Sequence, residues 1–100
     1  MKPNLTKNDI LNTLRNDKAF LNAQFGVISI GLFGSYSKEK QNPDSDIDIL
    51  VELKEPKYEW LAGLQIHLEQ KFGKKVDLIR KRKQIKNNII ERIERNVIYA

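Results

Sequence analysis

The sequence predicts a single α+β domain of the α/β-sandwich kind, a small mixed β-sheet of about three strands with helices packed on one face. Three observations predict it. The chain has 100 residues, room for one core and not two. The apolar spacing alternates between helical and strand periods, in the order helix, strand, strand, helix, strand, helix. No repeat, linker or low-complexity tract interrupts residues 1–100, so they read as one domain.

The elements follow in order. Thr6 with Asp9 resembles a capping box, and Ile10, Leu11, Leu14 and Leu21 recur at helical spacing. The spacing predicts one helix to about Gln24, stopped by Gly26. Val27 to Phe33 is β-branched and aromatic and reads as a buried strand. A polar segment from Gly34 to Ser45 comes next and ends in the turn-like Asn42-Pro43-Asp44-Ser45. From Asp46 to Leu53 a second strand alternates: Ile47, Ile49, Val51 and Leu53 share one face, with Asp46, Asp48 and Glu52 on the other. Pro56 is expected to open a helix through Phe72, with Leu61, Leu64 and Leu68 inward and Gly73 as its stop. Lys75 to Arg80 reads as a third strand with Asp77 opposite Val76 and Leu78. Ile85, Ile89, Ile93 and Val97 then mark a last helix, flanked by Ile90.

Composition narrows the chemistry. Apolar residues are 40% and charged residues 31%, a globular balance. No apolar run approaches the roughly 18 residues of a membrane span. Met1-Lys2-Pro3-Asn4 lacks the apolar stretch of a signal peptide, so a cytoplasmic protein is expected. The absence of cysteine excludes disulfides, thiol catalysis and thiolate zinc sites, and one histidine excludes a multi-His metal centre. Any metal must therefore take oxygen ligands, which points to Mg²⁺, Mn²⁺ or Ca²⁺.

The net charge is +5, and it is unevenly placed. Eight Lys or Arg lie between Lys71 and Lys86 with Asp77 the one acid among them, whereas six acids fall between Glu39 and Glu55. A basic balance suits an anionic partner such as a nucleotide, a nucleic acid or an acidic protein face. Arg80-Lys81-Arg82-Lys83 is more simply a solvated connection.

The decisive pattern joins the first two strands: Gly34-Ser35, ten residues, then Asp46-Ile47-Asp48. At this chain's own frequencies it arises by chance about once in a thousand such sequences. Strand alternation puts both carboxylates on one sheet face, about 6.6 Å apart along the strand, a workable spacing for ligands shared by a pair of divalent cations. If the third strand neighbours the second, Asp77 joins them. Three such carboxylates repel one another unless a cation neutralises them. Gly34-Ser35 stands just after a strand, where glycine lets backbone approach a phosphate and N–H groups with the Ser hydroxyl hold its oxygens. Acids for metal beside a phosphate cradle suit phosphoryl or nucleotidyl transfer.

Gly34-Ser35, Asp46-x-Asp48 and Asp77 together resemble the signature of the DNA polymerase β-like nucleotidyltransferase superfamily. The small size resembles its minimal nucleotidyltransferase branch, whose members are often antitoxins paired with a HEPN-domain toxin. The resemblance spans Val27 through Asp77, and the ending Asn96-Val97-Ile98-Tyr99-Ala100 is also similar to that branch. It implies that Asp46 and Asp48 ligate Mg²⁺ (two ions, with Mn²⁺ a substitute) and that Asp77 is the third catalytic carboxylate. It implies that Gly34 and Ser35 grip the triphosphate. Lys38 stands where many members carry Arg, and a lysine offers a point charge in place of a bidentate fork. The implied reaction moves a nucleoside monophosphate, AMP from ATP, to a hydroxyl acceptor, a tyrosine of the cognate HEPN toxin, with which a hetero-oligomer is expected. Direct nucleic-acid binding is not expected, since 100 residues leave no room for the domains that hold a duplex.

Plainer readings stand beside these. Asp46 and Asp48 could be a turn followed by a solvated strand edge, which is all that is expected of Asp44. Ser35 could be a helix N-cap. His67 reads as a surface or boundary residue without a role, and Tyr58 and Trp60 as boundary packing. The rival function is a non-catalytic antitoxin that neutralises its partner by binding alone. Three converging carboxylates argue against it, because a pure binder has no use for them.

Overall fold

The computed structural model describes residues 5–81 and 88–100. The expected Ile85 turn of the last helix and the Arg82-Lys83 part of the basic run lie outside the described residues.

The first helix starts as its capping box dictates. Thr6 Oγ1 accepts from the Asp9 N–H at 3.1 Å, and Asp9 Oδ2 accepts from the Thr6 N–H at 3.1 Å, so two orphan donors are satisfied reciprocally. This helix, α1 (Lys7–Asn16), ends at Asp17, and α2 (Lys18–Phe25) comes directly after it. The single helix expected to Gln24 is therefore two. Asp17 leaves helical geometry at φ −94° and ψ 2°. Its carboxylate lies 3.4 Å from Lys71 Nζ and 3.6 Å from His67 Nε2, so the bend coincides with a contact to a distant helix that apolar spacing cannot show. Gly26 ends α2 at φ +63°, and a Cβ there would overlap the Trp60 ring.

β1 (Val27–Phe33) leads into a short helix, α3 (Gly34–Ser37), at the start of the polar segment, where Ser35 also offered a helix N-cap. β2 (Ile47–Leu53) runs antiparallel to β1, with Phe33 opposite Asp48, Val27 opposite Leu53, and a bulge between Val27 and Ser29. α4 (Tyr58–Phe72) starts two residues later than Pro56 suggests, because Lys57 N–H closes a turn onto the Glu55 carbonyl at 2.8 Å. It ends at Gly73, φ +65°. β3 (Val76–Arg80) lies parallel to β2, the β–α–β connection being α4.

α5 (Asn88–Asn96) stops one residue short of Val97 and is followed by β4 (Ile98–Tyr99), which pairs antiparallel with β1. The sheet thus has four strands, in the order β3-β2-β1-β4, where about three were expected. The fourth is only two residues long and gives no periodicity to read. It depends on Gly31: a Cβ there would come 2.6 Å from Val97 Cγ2 and 3.1 Å from Tyr99 Cδ1. Lys81 Nζ, 3.4 Å from Glu94 Oε1, ties α5 to the end of β3.

The core lies between the sheet and α1, α2 and α4. Ile30, Leu32, Ile47, Ile49, Val51 and Val76 on the strands meet Ile10, Leu14, Leu21, Leu64 and Leu68, all within 1% of full burial. Each such side chain contributes about 1.5–3 kcal/mol by leaving water. This burial fixes strand register, since a one-residue slip would turn the apolar set outward. Asp48, Glu52 and Asp77 are thereby held on the opposite sheet face. Among the described residues no helix is long and apolar enough to cross a membrane.

Candidate active site

The site forms where β1 ends. Phe33 pairs with Asp48, so the next residue, Gly34, meets the Asp48 side chain. Gly34 turns at φ +75°, a conformation L side chains rarely adopt. A Cβ on Gly34 would overlap Asp48 Oδ2 and lie 2.9 Å from its Cγ. Glycine is required twice there, for the turn and for the space.

Three contacts hold α3 in place. Tyr36 is 3% exposed and anchors the turn in the core. Ser37 Oγ donates to the Gly34 carbonyl at 2.7 Å, and the Lys40 N–H donates to the Ser35 carbonyl at 2.9 Å. Phe33 is the N-cap of α3, so Ser35 is not a capping residue but lies within the turn, half-buried, one residue beyond Gly34. Lys38, the C-cap of α3, is exposed and donates its N–H to the Gly34 carbonyl at 3.3 Å.

The carboxylates arrive from two strands. Asp48 and Asp77 are direct partners in the β2–β3 register, so their side chains leave the sheet on the same face. Asp46 stands immediately ahead of β2, where the Ile47 N–H donates to the Lys75 carbonyl at 3.0 Å. A turn leads into it: Asn42 N–H donates to Ser45 Oγ at 3.0 Å and Asp44 N–H to Asn42 Oδ1 at 2.9 Å. Asp44 is an exposed turn acid, as expected.

The Asp48 carboxyl is pushed up from 3.8 to about 6, by burial first, then by the charge of Asp77, then by that of Asp46. Asp48 thus feels both other acids. Among the described residues no three Asp, Glu or His side chains close into a ready-made metal cage. The acids border an open face. An oxygen-only donor set whose members oppose each other's ionisation fits a hard divalent cation, which would relieve the repulsion and complete its shell with water and phosphate.

Sequence reasoning passed over Lys74, lost in the basic run. Its Nζ donates to the Pro43 carbonyl at 2.8 Å and lies 5.9 Å from the centre of the Tyr36 ring. The remaining aromatic and imidazole groups stay outside the site. His67 packs with Phe20 and Phe25, ring centres 5.1 and 5.9 Å away. Trp60 covers Gly26, but Tyr58 is 80% exposed instead of packed at a boundary.

Comparison with known proteins gives the family and the fold. Residues 14–100 match the nucleotidyltransferase domain family. The chain is 38% identical over 97 residues to the protein adenylyltransferase MntA of Thermococcus cleftensis, covering 96% of this chain and 97% of that one. Among solved structures it is similar to a toxin–antitoxin crystallised with AMP-PNP, at TM-score 0.67 and 25% identity, covering 95% of this chain and 72% of that one. At 19% identity and TM-score 0.66 it shares the fold of a complex of an MNT antitoxin with the tri-AMPylated HEPN toxin of Shewanella oneidensis, covering 94% and 71% of the two chains. With the glycine turn, the following serine and the in-register acids on one sheet face, the chain belongs to the nucleotidyltransferase domain family, in its minimal branch.

Proposed function

We propose that this chain is a Mg²⁺-dependent protein adenylyltransferase that acts in the cytoplasm on a HEPN-domain toxin and silences it. The observation that carries the reading is the meeting of Gly34, Asp48 and Asp77 at one end of the sheet. The name carried by the Thermococcus relative and the nucleotide in the toxin–antitoxin structure support AMP as the transferred group.

Asp46, Asp48 and Asp77 would hold the metal, with Mn²⁺ as a substitute. Bound there, the ion supplies neutralisation of charge on the phosphates and Lewis-acid polarisation of the reacting one. Gly34 lets the triphosphate come close to backbone, and the Ser35 hydroxyl donates to a phosphate oxygen. Lys38, at the far end of the same turn, adds a positive charge for the tail of the triphosphate. The acceptor is a tyrosine hydroxyl of the toxin. Its oxygen forms a bond to the α-phosphorus of ATP, the bond from that phosphorus to the bridging oxygen breaks, and pyrophosphate leaves. Asp77, the most open of the three acids, takes the hydroxyl proton.

Transfer from α-labelled ATP to the toxin should require Mg²⁺ or Mn²⁺ and stop with EDTA. Full transfer in metal-free buffer would contradict the mechanism.

A further inference from the structure

The segment between α3 and β2 has to place Asp46 beside Asp48, yet residues 38–46 contain no helix or strand of their own. Two local devices shape it. Glu39 adopts φ +58°, reversing the chain after α3, and the Asn42–Ser45 turn closes on itself through its own side chains. A half-buried lysine, Lys7, brings its Nζ to the exposed Glu39 Oε1 at 3.6 Å and meets the segment at its far end from Asp46. The turn next to Asp46 is met by Lys74. From the residue after Gly73 its ammonium reaches the Pro43 carbonyl at 2.8 Å, joining positions 31 apart in sequence. The same ammonium stands 5.9 Å from the ring of Tyr36, the buried residue next to Ser35. Directly after it, the Lys75 carbonyl receives the Ile47 N–H at 3.0 Å. Consecutive residues ahead of β3 therefore hold the turn before Asp46 and the backbone after it, while touching the turn that carries Ser35.

We propose that Lys74 is a positioning residue: its ammonium clamps the Pro43 turn against Tyr36 and so sets Asp46 at the distance from Asp48 and Ser35 that metal and nucleotide require. The proposal rests on the reading of Asp46 as a metal ligand. The contacts its ammonium makes are to the Pro43 carbonyl and the Tyr36 ring. Losing its charged donor leaves the Asn42–Ser45 turn with the bonds it makes to itself, the two through side chains and the Ser45 N–H to the Asn42 carbonyl at 3.0 Å.

The test compares wild type, Lys74→Met and Lys74→Arg. Methionine keeps much of the stem and removes the donor and the charge, whereas arginine keeps both. Binding of Mn²⁺ alone and with a non-hydrolysable ATP analogue is followed by paramagnetic resonance, beside thermal unfolding and steady-state kinetics. The expected result is Mn²⁺ binding about tenfold weaker in Lys74→Met, the size of one charge-assisted hydrogen bond, with recovery in Lys74→Arg. The metal concentration for half-maximal rate should rise in parallel, with kcat at saturating metal changing less. Unchanged Mn²⁺ affinity in Lys74→Met overturns the proposal, and so does a lower unfolding temperature with affinity intact, which marks a merely structural tie. If Lys74→Met does not fold, Lys74→Gln takes its place under the same criteria. Failure of the wild type itself to bind Mn²⁺ overturns the metal reading, and this proposal with it. Equal binding by wild type and variant overturns this proposal alone.

Discussion

The Cβ that Gly34 lacks would overlap Asp48 Oδ2. One end of β1 and the middle acid of the site are thus fitted to each other, and the fit comes from sheet register: Phe33 opposite Asp48 leaves Gly34 to turn across the carboxylate. Gly34→Ala should therefore do two separable things. Forcing an L residue into φ +75° costs about 1–2 kcal/mol of stability, read as a lower midpoint in urea. Displacing Asp48 should lower the transfer rate by about a hundredfold, the scale of a misplacement near 1 Å. A folded Gly34→Ala protein with wild-type rate would show that the contact is incidental.

Asp48 makes metal-free stability depend on pH. Its folded-state value, about 6, lies above the ordinary 3.8, so the folded protein binds the proton more tightly than the unfolded chain. That stabilisation is complete below about pH 4 and is lost as pH rises through about 6. The unfolding temperature of the metal-free protein should fall across this window relative to Asp48→Asn, which carries no charge to titrate. At pH 7 the variant should be the more stable of the two. Saturating Mg²⁺ should raise the wild type and leave the variant unmoved. At limiting metal, transfer should decline below about pH 6, since a protonated Asp48 offers a poorer ligand.

Ser35 lies within the α3 turn and not at its cap. Ser35→Ala should keep folding stability within about 1 kcal/mol of wild type and weaken nucleotide binding by about 1.5–3 kcal/mol, the worth of one hydrogen bond to a charged group. Isothermal titration with the ATP analogue measures it. Unchanged affinity would remove the hydroxyl from the phosphate site.

The face assignment of the acids was legible because strands alternate with period 2 and both apolar sets are unambiguous. Ile47, Ile49 and Val51 turn inward, as do Val76 and Leu78, and Asp48 and Asp77 can only go the other way. Helix ends were legible where glycine takes positive φ, at Gly26 and Gly73. The break at Asp17 was not, because Ile10, Leu14 and Leu21 keep a helical phase across it, and the groups beside Asp17 sit on α4. The fourth strand was not, because two residues carry no alternation. Lys74 was hidden for a related reason: in a basic run every lysine looks alike until the fold brings one to a carbonyl.

On the proposed function, the three acids serve transfer rather than binding. The most direct measurement pairs wild type with the double variant Asp46→Asn, Asp48→Asn, which keeps side-chain shape and removes two charges. Each is incubated with Mg²⁺, α-labelled ATP and the purified HEPN-domain partner, and the partner is examined for label and for added mass. In parallel, both are expressed at matched levels with the partner and scored for neutralisation. Wild type should label the partner on tyrosine and protect the cells; the variant should stay folded, with stability equal or higher because like charges are gone, and do neither. A variant that fails to label yet protects fully would contradict the account, since neutralisation would then come from complex formation alone.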